Sequence, residues 1–170
     1  MTVTDVNVVK SAIFERPDDA NKGTLGSLLC VCGSYGMAGA AVMSAKGALR
    51  TGIGLAKCAL PRSIYPIVAQ TILESVYYPL SENADGRISK VNVPFLVSES
   101  CKSSATLIGC GLGVCDDTLK IVLSLIENST TPLVLDADAL NCVAKQPEIL
   151  LRKKAPIIIT PHPGEMSRLT

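Results

Sequence analysis

Residues 155–165 read Ala155-Pro156-Ile157-Ile158-Ile159-Thr160-Pro161-His162-Pro163-Gly164-Glu165, an apolar run that passes directly into a proline-rich turn. The three isoleucines predict a buried strand, and the turn leads into a predicted helix that starts near Glu165. His162 is the only histidine of the chain, and the prolines on both sides of it restrict the local backbone. Ligands of open parallel α/β sheets bind just outside the carboxyl ends of the strands, so this turn is a candidate binding position.

The same order of strand, turn and helix is predicted along the rest of the chain. Strands are predicted at 27–32, 55–60, 75–79, 105–108, 132–135 and 155–159, and helices at 38–51, 61–70, 93–101, 116–128 and 139–145. Repeated βαβ units with right-handed crossovers imply a mostly parallel sheet with helices on its faces, which is a three-layer α/β sandwich. No linker divides the sequence, so we expect a single domain over residues 1–170.

Charge and hydropathy argue against nucleic-acid and membrane partners. The formal net charge is +1, and the longest basic run is 152–154, whereas phosphate backbones are bound by extended basic patches. The uncharged stretch 23–45 is interrupted by glycines, which favours a strand, a loop and a helix over a membrane span. The N-terminus contains Asp5 and Lys10 and lacks the apolar core of a signal peptide.

The chain has seven cysteines, but no CxxC pair and only one histidine. Zinc sites need paired ligands at short spacing, so no metal centre of that kind is expected. Several of the cysteines fall in apolar runs, where we interpret them as small buried hydrophobic residues. Free thiols in this number are typical of a reducing cytoplasm, which is the expected location.

Four predicted strands end in glycine-rich or polar segments, namely 33–40, 109–113, 136–141 and 162–165. Glycine lets a backbone approach a ligand closely, and the N–H groups at a following helix start can bind anionic oxygens. Because the carboxyl ends of parallel strands meet at one edge of a sheet, the four segments predict a shared ligand cleft. They fit neither a P-loop, which ends in Gly-Lys-Ser/Thr, nor a dinucleotide fingerprint, so a plain Rossmann dehydrogenase is disfavoured.

The polar side chains of these segments each have two interpretations. Asp136 and Asp138 could hold a ligand hydroxyl or a hydrated magnesium ion, or one of them could cap the helix that follows. His162 could be a positioned contact or an ordinary turn residue. Glu165 is stabilised near a helix start whatever its role. The residues alone leave these alternatives open.

Read in order, six stretches of the sequence resemble the NAD(P)H-hydrate dehydratase family, a branch of the ribokinase-like superfamily. They are Lys22-Gly23-x-x-Gly26, Gly33-Ser34 with Gly39-Ala40-Ala41, Ala48-Leu49-Arg50-Thr51-Gly52-x-Gly54-Leu55, Gly109-x-Gly111-Leu112-Gly113, Val134-Leu135-Asp136-Ala137-Asp138-Ala139-Leu140-Asn141, and Thr160-Pro161-His162-Pro163-Gly164-Glu165. Each motif is modestly specific and the ordered set is highly so. The resemblance covers the chain from about residue 15 onward.

The resemblance implies a ribokinase-like fold and an enzyme that repairs hydrated NADH and NADPH. ADP in most bacterial members, or ATP in eukaryotic ones, drives loss of water with Mg²⁺, and the His-Pro-Gly-Glu form is similar to the ADP-using type. The implied substrate contacts are Ala40, Gly111, Gly113, His162, Glu165 and Arg168, and possible ligand or magnesium contacts are Asp136, Asp138 and Asn141. A homo-oligomer is also expected: a sheet ending at Thr170 would expose an edge or an apolar helix face, so we expect self-association, or a missing C-terminal segment supplied in trans.

One departure from the family is large. Family members carry a lysine-glycine strand and a Gly-Thr/Ser-Gly-Asp loop that holds the catalytic base, and no Gly-x-Gly-Asp occurs here. The resemblance therefore implies a fold that lacks its C-terminal portion, with the base expected beyond Thr170. We expect the isolated chain not to be catalytically competent. The alternatives are a ribokinase-like kinase acting on a thiazole or pyrimidine vitamin precursor, and a non-catalytic nucleotide-binding or assembly module.

Overall fold

The computed structural model describes residues 23–170 of the chain. Lys22, the first residue of one family motif, and the N-terminal segment with Asp5 and Lys10 lie outside the described residues. The described part forms helices on both faces of one sheet, and this confirms the predicted three-layer α/β sandwich.

The sheet contains six described strands, β1 (Ser27–Val31), β2 (Leu55–Pro61), β3 (Val76–Leu80), β4 (Ala105–Ile108), β5 (Leu133–Leu135) and β6 (Ile157–Ile159). Their spatial order is β3-β2-β1-β4-β5-β6, and every pairing is parallel. The chain therefore reverses its direction of progress across the sheet between β3 and β4. Such a reversal opens a crevice beside β1 and β4, where ligands bind in doubly wound folds.

The six described α-helices are α1 (Ala38–Arg50), α2 (Tyr65–Thr71), α3 (Val93–Cys101), α4 (Asp116–Asn128), α5 (Asp138–Val143) and α6 (Pro163–Leu169). Short 3₁₀ segments occupy Arg62–Ile64, Lys90–Asn92 and Pro147–Arg152. The predicted helix at 61–70 is thus a 3₁₀ turn followed by α2. Proline at the start of such segments is favoured because its missing N–H has no helical partner there.

Alternation along β1 explains why two separate apolar layers form. Leu29 and Val31 pack with α3, α4 and α5 on one face, while Cys30 and Cys32 pack with α1 and α2 on the other. Successive side chains of a strand point to opposite faces, so a strand that is apolar throughout is buried on both sides. Cys58 joins the second layer and Cys142 the first, so these thiols fill the core as small hydrophobic residues.

The stretch 23–45 contains β1, a loop and the first half of α1, as its interrupted apolar pattern predicts. Across residues 23–170, no helix combines the length and apolar character that a membrane crossing requires.

Candidate functional site

The four segments that the sequence singles out lie side by side at one edge of the sheet. They follow β1, β4, β5 and β6, which are consecutive neighbours in the strand order. Hydrogen bonds join the first two loops, since Gly33 N donates to Cys110 O at 2.9 Å and Ser34 Oγ donates to Gly111 O at 2.9 Å. The predicted convergence of these segments is therefore present in the fold.

Ala40 and Gly111 are in direct contact. Gly111 has a φ of +63°, and a Cβ atom built on it would lie 2.6 Å from the Cβ of Ala40 and 3.2 Å from that of Met37. No side chain fits in that space, and a positive φ costs a glycine nothing. The β4–α4 loop can approach the first turn of α1 this closely only because residue 111 is glycine.

A chain of hydrogen bonds links the loops after β4, β5 and β6. Gly113 N donates to Asp138 Oδ2 at 2.8 Å, and Asn141 Nδ2 donates to Asp138 Oδ1 at 3.4 Å. Arg168 Nε in turn donates to Asn141 Oδ1 at 2.9 Å. Four of the predicted contact residues are thus connected through their own side chains and backbone, and Arg168 is held near the acidic group although it is exposed.

Asp136 belongs to a different set of contacts from Asp138. Thr160 Oγ1 donates to Asp136 Oδ1 at 2.7 Å, and the Cys110 thiol donates to Asp136 Oδ2 at 3.2 Å. Between the two aspartates, Ala137 has φ +48° and ψ −113°, the one positive φ at a non-glycine residue in the described part of the chain. Ala137 is the N-cap of α5 and no side chain caps that helix, so the alternative prediction of an aspartate cap is wrong.

These aspartates do not by themselves form a metal site. Among residues 23–170, no three His, Cys, Asp or Glu side chains lie close enough together to hold an ion. Each carboxylate already accepts two hydrogen bonds, and the two groups have no partner in common. Magnesium in nucleotide enzymes is often held by one or two carboxylates together with phosphate oxygens, so these residues fit only a partial, ligand-assisted contact.

His162 and Glu165 form a closed pair at the start of α6. Gly164 N donates to His162 Nδ1 at 3.1 Å, and His162 N donates to Glu165 Oε2 at 3.0 Å. Because Nδ1 accepts a hydrogen bond, the proton of the neutral imidazole resides on Nε2, which lies 3.1 Å from Glu165 Oε1. The Glu165 side chain is 8% exposed and that of His162 is 62% exposed. His162 is therefore the N-cap of α6, and Glu165 completes a capping box that fixes the imidazole, whose outer side is exposed.

The Cys110 thiol, which the sequence analysis did not select, lies within the glycine loop. A hydrogen bond with Cys32 lowers the pKa of Cys110 below its usual range, although burial and Asp136 act in the opposite direction. The same hydrogen bond and full burial raise the pKa of Cys32. The sequence contained little signal for this contact, because the two cysteines are 78 residues apart in the sequence and each has the apolar neighbours of a core residue.

The loop between β3 and α3, which is not among the four segments predicted from the sequence, also lies beside the site. Tyr35 N donates to Gly86 O at 2.9 Å, and the stem of Arg87 packs over Gly113. Tyr35, Ser63 and residues 82–86 line a cleft of about 450 Å³ beside the edge. None of the predicted site residues lines this cleft. The available signal was positional, since a loop that follows a parallel strand must emerge at the same edge.

The fold and this edge define a class of protein, the parallel α/β sandwiches, whose ligands generally bind outside the carboxyl ends of the strands. The profile of the NAD(P)H-hydrate dehydratase family matches residues 28–170, and the chain belongs to that family.

Known relatives agree with this assignment. A bifunctional NAD(P)H-hydrate repair enzyme from Thermofilum pendens is 37% identical over 91% of this chain and 30% of its own length. The ADP/ATP-dependent NAD(P)H-hydrate dehydratase from Bacillus subtilis, co-crystallized with ATP/Mg²⁺, is 28% identical with a TM-score of 0.73, covering 96% of this chain and 54% of that one. A ribokinase-like superfamily protein from Enterococcus faecalis shares the fold at 20% identity, with a TM-score of 0.77 over 92% of this chain and 52% of that one. The chain thus spans 30% of one relative's length and about half of the solved chains.

Proposed function

We propose that this protein acts in the nucleotide-dependent dehydration of hydrated NADH and NADPH, and that residues 23–170 carry the substrate side of the site. The observation that supports this most strongly is the convergence of Ala40, the Gly111–Gly113 loop and the Asp138–Asn141–Arg168 chain at one sheet edge. Relatives named for this activity are similar to this chain in sequence, and the solved one among them is similar in fold as well.

Each group has a distinct task in this proposal. The glycines admit the dinucleotide against the backbone, and Arg168 provides a cation. Both ring nitrogens of His162 are already paired, with Gly164 N and with buried Glu165, so the exposed imidazole would contact the substrate by packing. ADP or ATP, with Mg²⁺ bound mainly through its phosphates, would supply the phosphoryl group. Its transfer to the ring hydroxyl would create a good leaving group, and loss of that phosphate with a ring proton would restore the dihydropyridine.

We further propose that the 170-residue chain binds the substrate without turning it over, because it has no Gly-x-Gly-Asp sequence to provide a base. Binding of NADH hydrate to the purified chain can be measured by calorimetry, and turnover by the return of NADH absorbance with ADP or ATP and Mg²⁺. We expect binding and no turnover. Turnover would contradict the proposal that this chain lacks a catalytic base. A failure to bind NADH hydrate would contradict the proposed substrate.

We also propose that the protein works in the cytoplasm and self-associates. All seven cysteines are free, which suits a reducing compartment. Self-association is supported by the edge of β6, which has no partner strand within residues 23–170 and where Ile158 is 60% exposed.

A further inference from the structure

Arg87 lies beside the candidate site on a turn that is fixed by hydrogen bonds of Asn83. Asn83 shapes the turn that carries it, since Asn83 Oδ1 accepts hydrogen bonds from the N–H groups of Asp85 and Arg87, both at 3.1 Å. Asn83 Nδ2 also donates to Asp117 Oδ2 at 2.9 Å, which fastens the turn to the first turn of α4. The backbone that presents Arg87 is thereby fixed on both sides before any ligand binds.

The side chain of Arg87 lies directly on the glycine loop. A Cβ atom added to Gly113 would be 2.4 Å from Arg87 Nε and 2.9 Å from its Cδ, so the arginine occupies the space that the glycine leaves open. Gly113 itself has a φ of +74° and donates its N–H to Asp138. Arg87 and Asp138 therefore both contact Gly113, one by packing and one by a hydrogen bond.

The charge of Arg87 is only weakly compensated. Within residues 23–170 its one carboxylate partner is Asp85, at 3.4 Å, and the Asp85 side chain is 69% exposed. The Arg87 side chain is 31% exposed, so most of its stem is covered by protein. Burial would raise the pKa of the nearby Cys115 thiol, yet hydrogen bonds from Thr118, backbone N–H groups and Arg87 lower it overall. A guanidinium has five N–H donors, so Arg87 can still donate hydrogen bonds to a bound anion.

We propose that Arg87 is a further substrate-binding residue, which holds a phosphate group of the dinucleotide beside Gly113. This inference rests on the proposed function, since the anion that it names belongs to the hydrated dinucleotide. A planar guanidinium binds two phosphate oxygens at once, and a pre-positioned one loses little freedom on binding. Both the diphosphate of either hydrate and the additional phosphate of NADPH hydrate have this chemistry.

The test is calorimetric binding of NADH hydrate, NADPH hydrate and ADP-ribose to the 170-residue chain and three variants. Arg87→Met removes the charge and keeps a long aliphatic side chain. Arg87→Lys keeps a positive charge but lacks the planar guanidinium that binds two oxygens at once. Arg152→Met is the matched control, because Arg152 also has a single ion pair within residues 23–170, with Glu127 at 3.1 Å. Arg152 ends the 3₁₀ segment Pro147–Arg152, and Glu127 lies at the C-terminal end of α4, whereas Arg87 lies near its N-terminal end.

We expect Arg87→Met to weaken binding of the hydrates by about tenfold or more, Arg87→Lys to weaken it less, and Arg152→Met to change it by less than about twofold. High salt should weaken wild-type binding more than that of Arg87→Met, because the variant lacks the screened charge. A merely structural role of Arg87 would leave that salt dependence unchanged. An equal loss for both hydrates assigns the diphosphate, and a larger loss for NADPH hydrate assigns its additional phosphate.

Hydrate binding that is the same in Arg87→Met and wild type overturns this inference and leaves the proposed function intact. If wild type binds neither hydrate, the proposed function fails. Binding of ADP-ribose to wild type and to Arg87→Met then tests whether Arg87 binds phosphate. ADP-ribose binding that depends on Arg87 supports a phosphate-binding role for another dinucleotide. ADP-ribose binding without that dependence, or no binding of ADP-ribose, overturns the role.

Discussion

The backbone of Ala137 separates two aspartates that are two residues apart. Its φ of +48° with ψ −113° lies where side chains with a Cβ are strained. Residues held in such regions cost about 1–3 kcal/mol each and cluster at functional sites. Here the turn sends the Asp136 carboxylate towards Thr160 and the Asp138 carboxylate towards Gly113. The strain is therefore linked to the position of two candidate ligand contacts.

Replacing Ala137 by glycine should stabilise the fold by about 1 kcal/mol, because relief of the strain exceeds the added freedom of the unfolded chain. Urea unfolding measures this change in the free energy of unfolding. Ala139→Gly is the matched control, since Ala139 is a buried residue of α5 itself with a negative φ, and the same substitution there should destabilise by about 1 kcal/mol or more. Equal destabilisation by both substitutions would show that Ala137 carries no strain.

At the scale of elements, Glu99 connects α3 to the strands beneath it. Its carboxylate pairs with Lys102 at 2.9 Å and Lys57 at 3.6 Å, and accepts a hydrogen bond from Tyr78 at 3.1 Å. The hydrogen bond from Lys102 is the largest of several interactions that lower the pKa of Glu99, and burial opposes them. The pKa of Glu99 is lower in the folded state than in the unfolded state. The stability that its ionised carboxylate contributes is therefore complete above the ordinary pKa of 4.5, and it is lost as the pH falls through the lower pKa of the folded state.

Glu99→Gln should lower the free energy of unfolding at pH 7 by about 1–3 kcal/mol, because Lys57 is left nearly buried without its countercharge. The difference from wild type should shrink as the pH is lowered through the acid range below 4.5, where the wild-type carboxylate also becomes protonated. Chemical unfolding at a series of pH values measures it. Glu127→Gln, which removes a more exposed pair, should cost less than about 1 kcal/mol. A gap that stays constant with pH would contradict this account.

The elements also show how far sequence reasoning reaches. The loops after β1, β4, β5 and β6 were predictable, because glycine, aspartate or a proline-rich turn follows each apolar run. The position of Arg87 was not, since it depends on the contact between Asn83 and Asp117, which are 34 residues apart. The helix cap at Ala137 was missed because its strained backbone contradicts local propensity. Long-range contacts and strain are set by packing, and no local pattern contains them.

At the scale of the whole molecule, the two outer strands of the described sheet differ. Strand β3 contains Pro79, which cannot donate to another strand and so protects that edge. Strand β6 consists of three isoleucines with no charge or proline, and Ile158 and Ile159 are 60% and 38% exposed. The prediction that this strand is buried is therefore wrong, because β6 is the last strand of the described sheet and has a neighbour on one side only. Uncharged, apolar edge strands are templates for pairing with another chain. Within the described sheet, the outer side of β6 is therefore the one at which a strand of another chain can pair.

We expect the purified 170-residue chain to self-associate through β6, and Ile158→Lys to shift it towards monomer, because a lysine on the edge opposes strand pairing. Size-exclusion chromatography with light scattering measures the molecular mass over a range of protein concentrations. Val76→Lys on β3 is the matched control, since Val76 is 40% exposed on the protected edge and its replacement should leave the mass unchanged. A monodisperse wild-type monomer, or equal effects of both variants, would show that β6 does not mediate association. A loss of association specific to Ile158→Lys would instead identify the β6 edge as the surface through which two copies of this chain associate.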